Sequence, residues 1–396
     1  MSVCRNVLFA ILSLVFTVTG CSPDMVEWDF ERDGPRQAVE IPHEPYVALD
    51  HSMRDISSWE LVKEIKAGWN LGNTFESRGL GLNAERAWGN PRTTFAMIQA
   101  VKKAGFDSVR IPVTWQRQLS EAPDYLIDKD WLDRVEEVVG YVLTNDMYCI
   151  INIHHEDWII TTEENEQQTT GQLVAVWEQL SVRFKDYNEK LIFEGMSEPR
   201  TKDCMYEWEG GKPEDRQVVN RLNQAFIKVV RDSGSRNELR HLMIPTYAAS
   251  AENPAMVSLA VAFPKDDDKI IASIHAYTPY YFTLISGEQG IDKWFPNVDE
   301  PEIDSLFVRL NENFLENNIP IIIGETGTRD RNGNLKARVL WTKYYFKKAR
   351  DYGIPTFWWD NGKFSSLSER ADDFGLLDRY EAKFVYPDIV DAIMGR

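Results

Sequence analysis

The chain has 396 residues, 43% of them hydrophobic and 27% charged, which is ample material for a large core and excludes wholesale disorder. With 44 Lys and Arg against 62 Asp and Glu the formal net charge is −18, a field that repels nucleic acid and other polyanions and suits a neutral substrate. The four cysteines, Cys4, Cys21, Cys149 and Cys204, are too few and too scattered to imply a disulfide framework.

In chain order, Arg5 precedes an apolar run from Val7 to Val18 that ends in Val18-Thr19-Gly20-Cys21. That layout is expected of a signal peptide, and the run is too short to span a bilayer. Small residues followed directly by cysteine resemble a bacterial lipobox, with ordinary cleavage nearby as the alternative. The resemblance implies removal of residues 1–20, lipidation at Cys21 and an address at the envelope of a Gram-negative bacterium, on the outer membrane. Residues 21–56 are acidic, contain prolines and lack sustained periodicity, as expected of a tether. The folded domain is expected over residues 57–396.

Beyond Ile56, short apolar runs alternate with longer amphipathic stretches, the pattern of repeated βα units around a parallel sheet. The predicted strands are Ala67–Leu71, Ser108–Pro112, Tyr148–His154, Leu191–Met196, His241–Pro245, Ile270–His275, Ile321–Gly324 and Thr356–Trp359. Helical spacing shows in Phe95, Ile98 and Val101, in Trp131, Val135, Val138 and Val142, and in Leu173, Trp177, Leu180 and Phe184. Eight such units predict an α/β fold of the closed (β/α)8 TIM-barrel type, in one domain. Cys149, inside an apolar run, reads as a buried structural thiol.

In such a barrel the chemistry lies where the strands stop. The first predicted strand ends in Asn70 and Asn73, the second in Arg110, the third in His154 and His155, the fourth in Glu198, the sixth in His275 and Tyr277, the seventh in Glu325 and the eighth in Trp358, Trp359, Asp360 and Asn361. Any one of these alone suits a cap or a core ion pair; their convergence points to a site. Carboxylates on strands four and seven would face each other across the barrel mouth, as cleavage of a glycosidic bond requires, and a separation of about 5 to 5.5 Å would give retention of configuration. Strand alternation favours Trp358 over Trp359 as the inward tryptophan. His154, His155 and Glu156 are clustered, but neighbours on a strand point to opposite faces, so no shared metal site is expected.

The motifs Gly68-Trp69-Asn70-Leu71-Gly72-Asn73-Thr74, Arg110-Ile111-Pro112-Val113-Thr114-Trp115, Asn152-Ile153-His154-His155-Glu156, Phe193-Glu194-Gly195-Met196-Ser197-Glu198-Pro199-Arg200, Ile274-His275-Ala276-Tyr277, Ile323-Gly324-Glu325-Thr326-Gly327 and Phe357-Trp358-Trp359-Asp360-Asn361-Gly362 occur in order. Together they resemble glycoside hydrolase family 5, in its endoglucanase and xyloglucanase branches. The resemblance implies Glu198 as general acid/base and Glu325 as nucleophile of a retaining endo-β-glycosidase acting on β-1,4-linked glucan, mixed-linkage glucan or xyloglucan, with a mannan-directed hydrolase as the alternative. It implies that Arg110 and Tyr277 bias the nucleophile, that His275 supports the acid/base, that His154 contacts the sugar at the cleavage point and that Trp358 or Trp359 forms a stacking floor there. Asn73 and Glu76 would hydrogen-bond a neighbouring sugar, and Trp115, Trp158, Trp208, Trp294, Tyr280 and Tyr281 are candidate stacking residues.

One departure stands out. Ser197 occupies the place where the family pattern has asparagine bonding a sugar 2-hydroxyl; the shorter hydroxyl would lose that contact or make it through water. A catalytically weak or silent glycan-binding lipoprotein is therefore the rival expectation. The loops Thr161–Thr170 and Thr201–Glu214 are the expected determinants of substrate choice. No cofactor and no nucleotide loop are implied, the membrane is met only through the anchor, and a monomer is the default.

Overall fold

A computed structural model of the protein describes residues 37–47, 53–285, 287–364 and 373–396. The expected signal peptide, Cys21 and the first part of the tether lie outside the described residues. Among those described, eight parallel strands close into a barrel: β1 (Gly68–Leu71), β2 (Ser108–Ile111), β3 (Tyr148–Asn152), β4 (Leu191–Glu194), β5 (Leu242–Ser250), β6 (Ile270–His275), β7 (Ile321–Thr326) and β8 (Thr356–Asp360). Each pairs with the next in sequence, and β8 returns to β1 with Asn70 opposite Trp359. These are the eight strands expected from the apolar runs. The main difference is β5, which runs on to Ser250 through a register shift after Pro245, with Ala248 and Ala249 at positive φ.

The helices are α1 (Ser58–Glu64), α2 (Phe95–Ala104), α3 (Lys129–Thr144), α4 (Glu166–Arg183), α5 (Pro213–Asp232), α6 (Asn253–Ala262), the single turn α7 (Tyr280–Thr283), α8 (Glu300–Asn313), α9 (Leu335–Tyr352) and α10 (Pro387–Met394). Their starts follow from local chemistry. Ser57 and Glu60 form a reciprocal capping box on α1, Thr94 accepts from the Met97 amide on α2, and Asp128 accepts from the Trp131 amide at 2.9 Å on α3.

Alternation along the strands sorts two apolar layers. Tyr148, Ile150, Ile192, Met243, Ile271, Ile322 and Phe357 fill the barrel, and Leu61, Val62 and Ile65 of α1 and its C-cap close its floor. Val109, Ile111, Ile151, Phe193, Ile274, Ile323 and Trp358 point outward into the packing of the surrounding helices. Gly68 has to be glycine because the Phe357 ring fills the space its Cβ would take, 2.1 Å from the nearest ring carbon. The barrel is thus apolar below and free to be polar only at the C-terminal mouth.

The part of the expected tether from Gln37 to Val47 lies against this barrel. The Val39 amide donates to the Tyr380 carbonyl at 2.9 Å, Thr94 Oγ1 donates to the Val39 carbonyl at 2.7 Å, and the His43 ring stacks on Phe95 at 4.5 Å. Among the described residues no helix is long and apolar enough to cross a membrane.

Candidate functional site

The inward row that begins with apolar residues at the barrel floor continues upward, two residues at a time, as Asn70, Arg110, Asn152, Glu194, Ser273 and Gly324. Arg110 lies at the centre, fully buried. Its Nε donates to Glu194 at 2.7 Å, Nη1 to Glu325 at 2.6 Å and to Asn70 Oδ1 at 3.0 Å, and Nη2 to Ser197 Oγ at 3.1 Å. Glu194 also accepts from Ser273 Oγ at 2.6 Å and Asn152 Nδ2 at 2.9 Å. Glu194 was not among the expected site residues; its place one period above Ile192 on the inward face of β4 was the signal that could have found it.

Glu325 reaches the site by a break in alternation. Ile322 and Gly324 face inward, so strict period two would turn Glu325 toward the helices. Register shifts on both sides of β7, after Ile274 against β6 and after Ile323 against β8, re-aim it into the mouth. There Tyr277 Oη donates to its second oxygen at 3.1 Å. Glu198 stands just beyond the end of β4, with Oε1 2.9 Å from His275 Nδ1, and the same nitrogen is 3.7 Å from Glu325. Acceptor atoms of Glu198, His275 and Glu325 all lie within 4.8 Å of one another. A metal ion could be imagined at that spacing, but Arg110 already supplies the compensating positive charge at Glu325.

Burial raises the Glu325 carboxyl above its usual range, and the Glu198 charge adds to this, while His275 and Arg110 pull it down. Burial would also raise Glu198, but the hydrogen bond and charge of His275, then the charges of Arg200 and His155, overcome it and bring the carboxyl to about 2. His275, despite burial, is raised by the Glu325 charge and the Glu198 hydrogen bond. Glu198 and His275 therefore form one seat for a proton, which can pass along their 2.9 Å contact. Burial keeps His154 and His155 neutral, the latter at about 4, and lifts the Tyr277 hydroxyl far up so that it remains a donor to Glu325. The arrangement offers a carboxyl hydrogen-bonded by Arg110 and Tyr277, facing a second carboxyl that can give and take a proton.

A cleft of about 1030 Å³ opens over these groups. Asn73, His154, Glu198, His275, Tyr277, Glu325 and Trp359 line it. The reading that favoured Trp358 is corrected: Trp358 is fully buried, packs on Trp341 and Phe346 and donates from Nε1 to the Phe374 carbonyl at 3.1 Å. Trp359, two residues beyond the inward Phe357, faces the cleft and lies parallel to His154 at 5.9 Å. Alternation was the right rule, but it needed Phe357 to fix its phase. Ser197 does not line this cleft; it is buried and accepts from Arg110. Glu76 is also corrected as a sugar contact, because it is fully buried and accepts from the Asn73 and Thr74 amides, so it braces the β1 loop. Glu156 serves the β3 loop alike, accepting from the Gln116 amide at 2.9 Å and Trp158 Nε1 at 2.7 Å, which removes it from any cluster with His154 and His155.

Of the candidate stacking residues, Trp208 and Tyr280 line the cleft. Trp115 is buried with Nε1 on the Asn152 carbonyl, Trp294 is buried against Tyr344, Trp158 is partly buried against the core, and Tyr281 is exposed beside Tyr280. Trp88, beside His155 at 5.8 Å, and Phe374 were missed. Both come from irregular loops, where no periodicity reports which way a side chain points.

The family model "Cellulase (glycosyl hydrolase family 5)" matches residues 70–365. The cellulase/esterase CelE of Acetivibrio thermocellus is 46% identical over 343 residues, 86% of this chain; the chain spans 41% of that protein's length. Endoglucanase A of Ruminococcus albus is 44% identical over 352 residues, 88% of this chain and 95% of the relative. A solved GH5-4 broad specificity endoglucanase from Ruminococcus champanellensis with bound cellotriose superposes with a TM-score of 0.82 at 41% identity, covering 86% of this chain and 99% of that one.

The two tryptophans of β8 should separate in denaturation. Trp358→Ala is expected to cost about 3–5 kcal/mol in urea unfolding, as for other buried aromatics, and Trp359→Ala about 1 kcal/mol or less. Equal costs would contradict the orientation described for them.

Proposed function

The chain belongs to the cellulase family, glycosyl hydrolase family 5, and on that premise we propose that it is a retaining endo-β-1,4-glucanase with Glu325 as nucleophile and Glu198 as acid/base. The observation that carries the reading is the pair of carboxylates, with oxygens within 4.8 Å of each other, at the floor of the cleft. That proximity matches the short separation of retaining enzymes, about 5–5.5 Å, and leaves no room for the water an inverting pair must hold.

In the first step an oxygen of Glu325 bonds to the anomeric carbon as the glycosidic C–O bond breaks, and Glu198 gives its proton to the departing oxygen. Arg110 opposes the effect of burial on Glu325 and, with Tyr277, aims it; Glu198 draws on the proton it shares with His275. In the second step Glu198, now a carboxylate, takes a proton from water as that water attacks the anomeric carbon, and Glu325 leaves. Inversion twice gives net retention. Trp359 supplies an apolar face to the sugar at the cleavage point, neutral His154 meets its hydroxyls, and Asn73 meets the neighbouring sugar. The departure at Ser197 is compatible with turnover, because its hydroxyl serves Arg110 and the charge arrangement around Glu325 is complete.

Incubation with soluble β-glucans, xyloglucan and mannan tests this reading. Reducing ends should appear with a glucan, the new ends should be β when first observed by proton NMR, and Glu325→Gln should lower kcat at least a thousandfold. Binding without release from any polymer would favour the silent glycan binder instead.

We also propose that the enzyme is lipid-anchored at Cys21 on the outer membrane, on the strength of the Val18-Thr19-Gly20-Cys21 pattern. In a Gram-negative host the full chain should then enter the detergent phase on Triton X-114 partition and Cys21→Ser should not; identical behaviour of the two would remove the proposal.

A further inference from the structure

Arg200 follows Pro199 just past β4, and its guanidinium touches three different groups. Nη1 donates to the Glu198 carbonyl at 3.0 Å and stands 3.5 Å from the Glu198 carboxylate. Nε donates to Glu207 at 2.9 Å, and Glu207 in turn accepts from the Asp203 amide at 2.9 Å, which closes the loop on itself. The guanidinium plane lies 4.1 Å over the Trp208 indole. Trp208 nevertheless remains 57% exposed on the cleft wall, so one face of the indole is covered by the cation and the ring is still open to a ligand.

The position of this loop within the cleft matters. Asn73, Trp88 and Asn361 come from the loops after β1 and β8, while Trp208 comes from the loop after β4, Ser250 and Glu252 from the end of β5 and the turn beyond it, and Tyr280 from α7 after β6. Glu198 and Glu325 line the same cleft. An acid/base must stand beside the leaving oxygen, and Glu198 belongs to the β4 side, so Trp208 sits on the leaving-group half. The groups facing Glu198 are His155 from the β3 loop, Arg200, His275 from β6, Tyr277 and Glu325. Arg200 is a permanent cation within hydrogen-bond reach of it, and it is also bound to the loop that carries Trp208.

We propose that Arg200 is a positioning residue that holds the Glu198 carboxylate in register with a sugar stacked on Trp208, so that one guanidinium ties the acid/base to the occupant of the leaving-group side. The proposal rests on the reading of Glu198 as acid/base. The contact is partly buried and 3.5 Å long. Its weight is on proton affinity, where a cation at this distance lowers a carboxyl by about one unit or more. Removing it lets the Glu198–His275 pair keep its proton to higher pH.

The test compares three variants of the full protein on cello-oligosaccharides. Arg200→Met should move the alkaline limb of kcat/KM up by about one pH unit and raise KM several-fold. Arg200→Lys keeps the charge but not the planar fork, so it should leave the limb in place and still raise KM. Trp208→Ala should raise KM without moving the limb. An unmoved limb in Arg200→Met, or unchanged KM in Arg200→Lys, overturns the proposal. If Arg200→Met fails to fold, Arg200→Lys and Trp208→Ala still decide it through KM. The underlying reading is checked separately: Glu198→Ala should regain turnover of 4-nitrophenyl β-cellobioside when azide is added. No rescue there overturns the role of Glu198 and the proposal together, whereas rescue with an unmoved Arg200→Met limb overturns the proposal alone.

Discussion

Arg110 sets the terms for everything around the barrel mouth. A guanidinium fully removed from water is costly unless it is both neutralised and hydrogen-bonded, and breaking a buried pair costs about 3–5 kcal/mol because a bare charge is left behind. Here the fork donates to Glu194, Asn70, Glu325 and Ser197. Two carboxylates share one cation. Glu194 has further donors in Ser273 and Asn152, whereas Glu325 accepts from Tyr277 besides Arg110 and faces the cleft. The cluster therefore holds one carboxylate as structure and leaves the other reactive.

The barrel makes this arrangement possible by bringing one residue from each of several strands to one height. Asn70, Arg110, Asn152, Glu194 and Ser273 come from five strands, and below them the inward positions are Gly68, Ser108, Ile150, Ile192 and Ile271. Below them the closed floor of α1 and the Phe357 ring keep water out; above them the loops build the cleft. Regular alternation alone would not suffice, because Gly324 and Glu325 are neighbours and only one can face inward on a regular strand. The bulged register of β7 brings Glu325 in while Gly324 leaves room for His275, whose Nε2 would lie 3.2 Å from a Cβ there.

Most of the barrel was legible because parallel strands buried on both faces read as continuous apolar runs, and each such run proved to be a strand. The polar residues that end those runs were legible for the same reason: Asn70, Arg110, His154, His275 and Glu325 interrupt apolar sequence where the fold must turn polar. What could not be read were features that depend on phase or on distant packing. Trp358 and Trp359 are chemically alike, and only the contact between Phe357 and Gly68 fixes which one faces inward. Glu194 sits in a motif whose neighbours drew attention from it, and its function exists only because Arg110 arrives from another strand. Trp88, Phe374 and Arg200 lie on loops, where neither period two nor period 3.6 applies. Glu76 and Glu156 looked like ligands to sugar or metal, yet both are consumed by backbone amides of their own loops.

In the proposed reaction Arg110 holds and aims Glu325 as it bonds to the sugar. The most direct measurement is mass spectrometry of the protein after inactivation with an activated 2-deoxy-2-fluoro-β-cellobioside, which slows the second step and accumulates the covalent intermediate. One fluorosugar per chain is expected, on the peptide containing Glu325, and none in Glu325→Gln. A label on Glu198 or Glu194, or turnover of natural glucan by a protein that accumulates no covalent sugar, would contradict it.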